Sequence, residues 1–275
     1  MVIHSDWGAW LPNAVADADP DGVTLWYLGC NGFVLKADDG TTVFIDPYLG
    51  TGDPPRTVRM IPVPFAPEDV VEADAVLATH EHTDHVHGPS QAPIVASTDA
   101  SFYGPAASTE VAREWTDEYD VDDGDIVTIE EGETFELGSL ELTVEPAHDP
   151  DAVHPVSYVI EHDAGTFFHG GDARPSSEFE SIGDRYDIDL GVVAFGSTGM
   201  IPDKQTREPK RTTWYADEAM AAEAANQLQL DRLLPTHWDM WKGLTADPTA
   251  LRPHIRSFEF PRTLELHEIG DSVPL

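Results

Sequence analysis

Four of the chain's 12 histidines fall within eight residues of the segment ATHEHTDHVHG, residues 78–88: His80, His82, His85 and His87, with Asp84 among them. Histidine and aspartate at this density point to a metal centre. The helical zinc-protease pattern His-Glu-x-x-His is excluded, because Asp84 stands four residues after His80. Glu81 is therefore not read as that motif's base. The pattern is instead His-x-His-x-Asp-His. On an extended loop, residues two apart point the same way, so His80 and His82 can grip one metal. If the chain then turns, Asp84 and His85 face a neighbouring point that suits a second. His87 fits no position in this pattern and is expected beside the site or at the surface.

One loop supplies too few ligands, and the others stand at the ends of predicted strands: His148 ends ELTVEPAH, Asp172 ends TFFHGGD and His237 ends LLPTH. His80, His82 and His148 can hold one metal, Asp84, His85 and His237 the second, with Asp172 bridging. Two divalent ions about 3.5–4 Å apart generate hydroxide near neutral pH and polarise a carbonyl or phosphoryl oxygen. Imidazoles and carboxylates without thiolate suit zinc, manganese or iron.

Those ligands need a scaffold. VTLWYLGCNGFVLKADDGTTVFIDPYL reads as consecutive antiparallel strands with tight turns. Residues 50–68 are proline-rich and irregular, and Ala75–Ala78 is a buried strand running into the histidine loop. APIVAS reads as a strand and STEVAREW as a helix. Two hairpins follow, DIVTIEEGETFELGSLELTVEPAHD and VHPVSYVIEHDAGTFFHGGD. IDLGVVAFG is a buried strand, ADEAMAAEAANQLQL a helix rich in Ala, Glu and Gln, and DRLLPTHWD a short strand. DPTALRPHI reads as a last helix and RTLELHEIG as a last strand. Residues 1–22 read as turn-rich. There is no repeat or linker, so residues 1–275 are expected to form one domain, a sandwich of two sheets with helices outside.

Composition narrows the function. Fifty-one acidic residues face 15 Lys and Arg, for a net charge of −36. Such a chain repels phosphate backbones, which argues against a nucleic-acid partner. The 41% hydrophobic content and seven tryptophans argue against disorder. The acids read as a halophilic surface whose self-repulsion is screened by salt. The single cysteine, Cys30, allows no disulfide framework and no cysteine-based zinc site. No stretch resembles an export signal and no run of 18 apolar residues occurs, so a cytoplasmic location away from membranes is expected.

Together, HEHTDH at 80–85, His148, the GGD ending at Asp172 and His237 resemble the metallo-β-lactamase fold superfamily. WGAW at 7–10, WYLGCNGFVLK at 26–36, GTG at 50–52 and HWDMW at 237–241 resemble its L-ascorbate-6-phosphate lactonase branch. The resemblance implies an α/β fold, a four-layer αββα sandwich of two mixed sheets with helices on the outer faces. It implies hydrolysis of a lactone or related ester by metal-bound hydroxide, with Asp84, Asp172 and His237 as catalytic candidates. A small anionic sugar acid is the implied substrate type, and a phosphodiesterase or nuclease of the same fold is the alternative. No Gly-x-Ser-x-Gly elbow is present. In such proteins the aspartate of the IDP turn, here Asp46, supports the metals from behind. Arg174, Trp238, Asp239 and Trp241 are candidate substrate contacts, as is KRTTWY at 210–215, which sets Lys210 and Arg211 beside Trp214 and Tyr215. The lactonase branch favours manganese, the wider superfamily zinc, and the branch hints at a homo-oligomer.

Overall fold

A computed structural model describes residues 3–275. The first half runs α1 (Trp10–Ala16), β1 (Val23–Gly29), β2 (Gly32–Ala37), β3 (Thr42–Ile45), β4 (Ala75–Leu77), α2 (Gly88–Ser97), β5 (Ser101–Gly104), α3 (Ala106–Ala112) and β6 (Ile126–Thr128). The second runs β7 (Thr134–Leu137), β8 (Leu140–Pro146), β9 (Val156–His162), β10 (Gly165–His169), α4 (Ser177–Gly183), β11 (Leu190–Ala194), β12 (Gly199–Pro202), β13 (Pro209–Thr212), α5 (Glu218–Gln227), β14 (Arg232–Thr236), α6 (Leu251–Ile255) and β15 (Thr263–Leu264). The closing strand, β16 (Ser272–Pro274), returns to the edge of the first sheet beside β1.

Two seven-stranded sheets result, ordered β16-β1-β2-β3-β4-β5-β6 and β15-β14-β11-β10-β9-β8-β7. Each is mixed in the same sense. β1 to β3 are antiparallel neighbours and β3 to β6 parallel ones. β7 to β10 are antiparallel, and β10, β11, β14 and β15 parallel.

Alternation along the strands builds the layers. On β1 and β2, Leu25, Tyr27, Phe33 and Leu35 face the second sheet and meet Leu142, Tyr158, Phe167 and Val192. The intervening Trp26, Leu28 and Val34 face outward onto Leu11 and Val15 of α1 and Ala92, Ile94 and Val95 of α2. On the far side, Phe168 and Val193 pack against Phe179 and Ile182 of α4, Ala221 and Ala225 of α5 and Leu251 of α6. Each fully buried Leu, Val or Phe contributes about 1.5–3 kcal/mol of transfer free energy. The layers are thus helices, sheet, sheet, helices.

Several local expectations are corrected. APIVAS lies in helix α2, not a strand: Gln91, Ala92, Ile94 and Val95 are buried, a helical spacing that a six-residue apolar run cannot declare. Residues 10–16 are helical where a turn-rich segment was expected. Helix α4 and the separate β12–β13 hairpin add to the predicted elements, and in RTLELHEIG only Thr263–Leu264 pair in a sheet. No helix of the described residues is long and apolar enough to cross a membrane.

Candidate metal centre

Parallel strands deliver their carboxyl ends to one edge, where open α/β sheets place their ligands. β1, β3 and β4 share a direction there, as do β8, β10, β11 and β14. Cys30, Asp46 and the histidine loop follow the first set; Asp149, Asp172 and His237 follow the second. Cys30, Asp46 and His237 all adopt left-handed backbone, at φ 59, 46 and 65. Such residues are uncommon and gather at functional sites. Gly171 is also left-handed, and a Cβ there would come 2.8 Å from Thr79 Oγ1. That close approach explains the glycine before Asp172.

Hydrogen bonds behind the site fix which nitrogen of each histidine faces it. Asp46, fully buried, accepts from the Thr79 amide at 2.9 Å and from both Thr79 Oγ1 and His85 Nδ1 at 2.7 Å. Thr79 Oγ1 has then given its proton to Asp46, so at 3.0 Å it accepts from His80 Nδ1. His82 Nε2 donates to the Asp151 carbonyl at 3.1 Å. The bare nitrogens left over are His80 Nε2, His82 Nδ1 and His85 Nε2. The first two lie 2.9 Å apart, and His85 Nε2 is buried without a hydrogen-bond partner among the described residues.

These bare nitrogens converge with carboxylates in two groups: His80, His82 and Asp172, and Asp84, His85, Asp172 and His237. Asp172 belongs to both. Its Oδ1 lies 3.2 Å from His237 Nε2 and its Oδ2 3.3 Å from His85 Nε2. Among the described residues Oδ1 has no hydrogen-bond donor. Inward-facing imidazole nitrogens and orphaned carboxylate oxygens buried together are a donor set that fits divalent cations once His85 gives up its Nε2 proton. The Cys30 Sγ lies 3.4 Å from His237 Nε2, and burial, with the Asp84 and Asp172 charges, pushes this thiol well up.

His148 is not brought to the site. It is exposed, and its carbonyl accepts from the Arg174 amide. The next side chain, Asp149, turns inward instead, and its Oδ2 lies 3.7 Å from His80 Nε2 and 3.8 Å from His82 Nδ1.

The electrostatics follow from burial and pairing. Burial and the neighbouring rings hold His80 well below the usual imidazole range. His85 goes the other way: burial opposes its charge, but Asp172 and Asp46 on either side raise it well above that range. Burial likewise works against ionised Asp172, yet His237 and His85 hold it well below the usual carboxylate range. Burial and the Asp172 charge raise Asp149.

Above the clusters opens a cavity of about 840 Å³. Asp84, Asp149 and Asp172 lie in its floor; Tyr48, His87, Trp214, Tyr215 and Trp241 form its walls. Tyr215 stacks on His237 at 4.1 Å and 18°. Arg56, Lys204, Lys210 and Arg211 line it too, four of the chain's 15 Lys and Arg. The last three come from the β12–β13 hairpin, and Arg56 lies over the Trp214 ring at 5.1 Å. Asp53, Glu81, Asp151 and Asp203 are interspersed.

Three candidate substrate contacts lie outside this lining. Trp238 is half-buried and packs against the cluster behind the second sheet. Asp239 is half-buried, and burial raises its pKa. Arg174 is spent on structure: its Nη2 donates to the carbonyls of Thr213 and Trp214 at 3.3 and 3.2 Å, fastening the loop after the hairpin. Asp149, Thr79, Tyr48, Arg56 and Lys204 are further residues at the site that lie outside the sequence motifs. Only Asp149 left a signal, a carboxylate adjoining a predicted ligand.

A family model described as "Beta-lactamase superfamily domain" matches residues 41–238. The probable L-ascorbate-6-phosphate lactonase UlaG of Escherichia fergusonii is 27% identical over 289 residues, 90% of this chain and 78% of that protein. Among solved structures, a metallo hydrolase of the archaeon Ignicoccus hospitalis matches with a TM-score of 0.66 at 20% identity, over 92% of this chain and 98% of that one. The diiron β-hydroxylase CmlA of Streptomyces venezuelae matches with a TM-score of 0.66 at 17% identity, over 93% of this chain and 55% of that one. The fold is thus shared by proteins of different chemistry. The family match spans well over half the chain and runs from just before Asp46 to just past His237, enclosing both ligand groups, so this chain belongs to the beta-lactamase superfamily domain family.

Proposed function

We propose that the protein is a metal-dependent hydrolase that opens a lactone, or cleaves a related ester, of a small anionic sugar-acid type. The observation that carries this reading is Asp172, shared by two histidine clusters on the floor of a cavity with four cations in its lining. His80, His82, Asp149 and Asp172 would hold one divalent ion; Asp84, His85, His237 and Asp172 would hold the second. Zinc and manganese suit these donors best, and iron is compatible. When bound, two such ions supply a Lewis acid for the carbonyl oxygen and a water nucleophile active near neutral pH.

The chain's own residues do the rest. Arg56, Lys204, Lys210 and Arg211 attract the substrate's anionic end, in a protein whose surface otherwise repels anions. Trp214, Tyr215 and Trp241 wall the acyl group and exclude water. Asp172, ionised between its imidazoles, keeps the floor negative and the two clusters in register. Asp84 is 19% exposed and faces the cavity, so its carboxylate is placed to exchange a proton with bound substrate. The lactonase name of a relative covering 90% of this chain supports the carbonyl substrate.

The test is activity of zinc- and manganese-loaded protein, in high salt, on phosphorylated and neutral sugar-acid lactones and on bis(p-nitrophenyl) phosphate. Lactone opening with a preference for the charged substrates is expected. Phosphodiester cleavage without lactone cleavage would overturn the reading.

A further inference from the structure

His87 is the one histidine of the loop at 78–88 that neither ligand group includes. It lines the cavity beside Asp84, and its ring meets Tyr48 edge-on at 5.0 Å. Its backbone starts helix α2, but its ring makes no bond to the helix backbone, so capping does not account for the side chain. One ring nitrogen, Nδ1, lies 2.6 Å from Ser90 Oγ. Ser90 is fully buried, and its Oγ already accepts from the Leu49 amide at 2.9 Å. Among the described residues the only acceptor beside that hydroxyl is His87 Nδ1, so Ser90 donates to it. Nδ1 is then the unprotonated nitrogen, and the ring proton sits on Nε2. No described residue bonds Nε2, and Nε2 is not buried within the protein.

We propose that His87 is a substrate-contacting residue: a neutral imidazole, locked by Ser90, whose Nε2–H donates a hydrogen bond to an oxygen of the molecule bound in the cavity. The inference rests on the hydrolase reading for the identity of that molecule, an oxygen-rich ester or lactone, but not for the donor itself. A fixed donor beside the floor orients an oxygen acceptor and disfavours ligands with a donor or an alkyl group at that point.

Two measurements test it. In zinc-loaded protein labelled with ¹⁵N-histidine, long-range ¹H–¹⁵N correlation reads the tautomer, the His87 signals being assigned by their loss in His87→Gln. The Nε2–H form is expected; the Nδ1–H form would overturn the proposal. In kinetics, His87→Phe should keep its full metal content and lose about three- to tenfold in kcat/KM, the worth of one neutral hydrogen bond. His87→Gln, which keeps a donor and occupies Ser90, should recover part of the loss. Unchanged kcat/KM in His87→Phe, or loss of metal from either variant, would refute a donor to substrate. The assay uses whichever of the lactone, ester and phosphodiester substrates the wild type cleaves, so absence of lactone activity counts against the proposed reaction and not against His87.

Discussion

Asp46 Oδ2 stands 2.7 Å from His85 Nδ1, and the same carboxylate orients His80 through Thr79 Oγ1. One residue therefore sets the tautomer of two rings that belong to different clusters. Asp46→Ala is expected to weaken metal binding by about 10- to 100-fold while leaving every proposed ligand in place. Chelator competition reads the affinity, and circular dichroism confirms the fold. Wild-type affinity would mean that the rings are oriented without it.

The neighbours His148 and Asp149 give a sharper contrast. His148→Ala is expected to retain full metal stoichiometry, because the ring is exposed and outside both groups. Asp149→Ala should lose metal from the His80–His82 side first. Metal analysis after dialysis against a weak chelator distinguishes the two. The reverse pattern would restore the histidine as ligand.

The effect of pH follows from His85 and Asp172. With its pKa raised above the usual 6.5, His85 stabilises the metal-free fold fully below that pH, and the contribution is lost as pH rises through the raised value. With its pKa depressed below the usual 3.8, Asp172 contributes fully above that pH, and the contribution is lost as pH falls. Both operate together between about pH 4 and 6.5. Metal must displace the His85 proton, so binding tightens as pH rises. The gain in Tm on adding metal is expected to grow from pH 5.5 to 8. A gain independent of pH would contradict the pairing.

The cations in the cavity lining predict a selective kinetic effect. Replacing Lys210 and Arg211 together by Ser should raise KM for an anionic substrate by about tenfold, with little change for a neutral analogue. The wild-type preference should shrink as salt rises. An equal loss on both substrates would assign the pair a structural role.

How much of this the sequence disclosed depends on the kind of order involved. His80, His82, Asp84, His85, Asp172 and His237 were legible because strand ends are marked by apolar runs, and converging strand ends place such residues together. The hairpins were legible through Gly138 and the alternation of β7 to β10. Asp149 was not, since beyond Pro146 the chain leaves the ladder and side-chain parity cannot be counted from the strand. Trp238 and Asp239 looked like pocket walls by adjacency to His237. The left-handed turn at His237 sends its neighbours elsewhere, and only Trp241 returns to the cavity. The β12–β13 hairpin was hidden because its strands are only four residues each, β13 is polar and largely exposed, and neither carries an apolar alternation.

The left-handed Cys30 and Asp46, with the histidine loop, belong to the first sheet; Asp149, Asp172 and the left-handed His237 belong to the second. Neither half of the chain owns a complete ligand set. A cation held here is therefore a rivet between two sheets, and its affinity measures how well they dock. Cut at the exposed Glu131–Glu133 turn that joins the halves, the chain would be two fragments that bind metal only when they find each other.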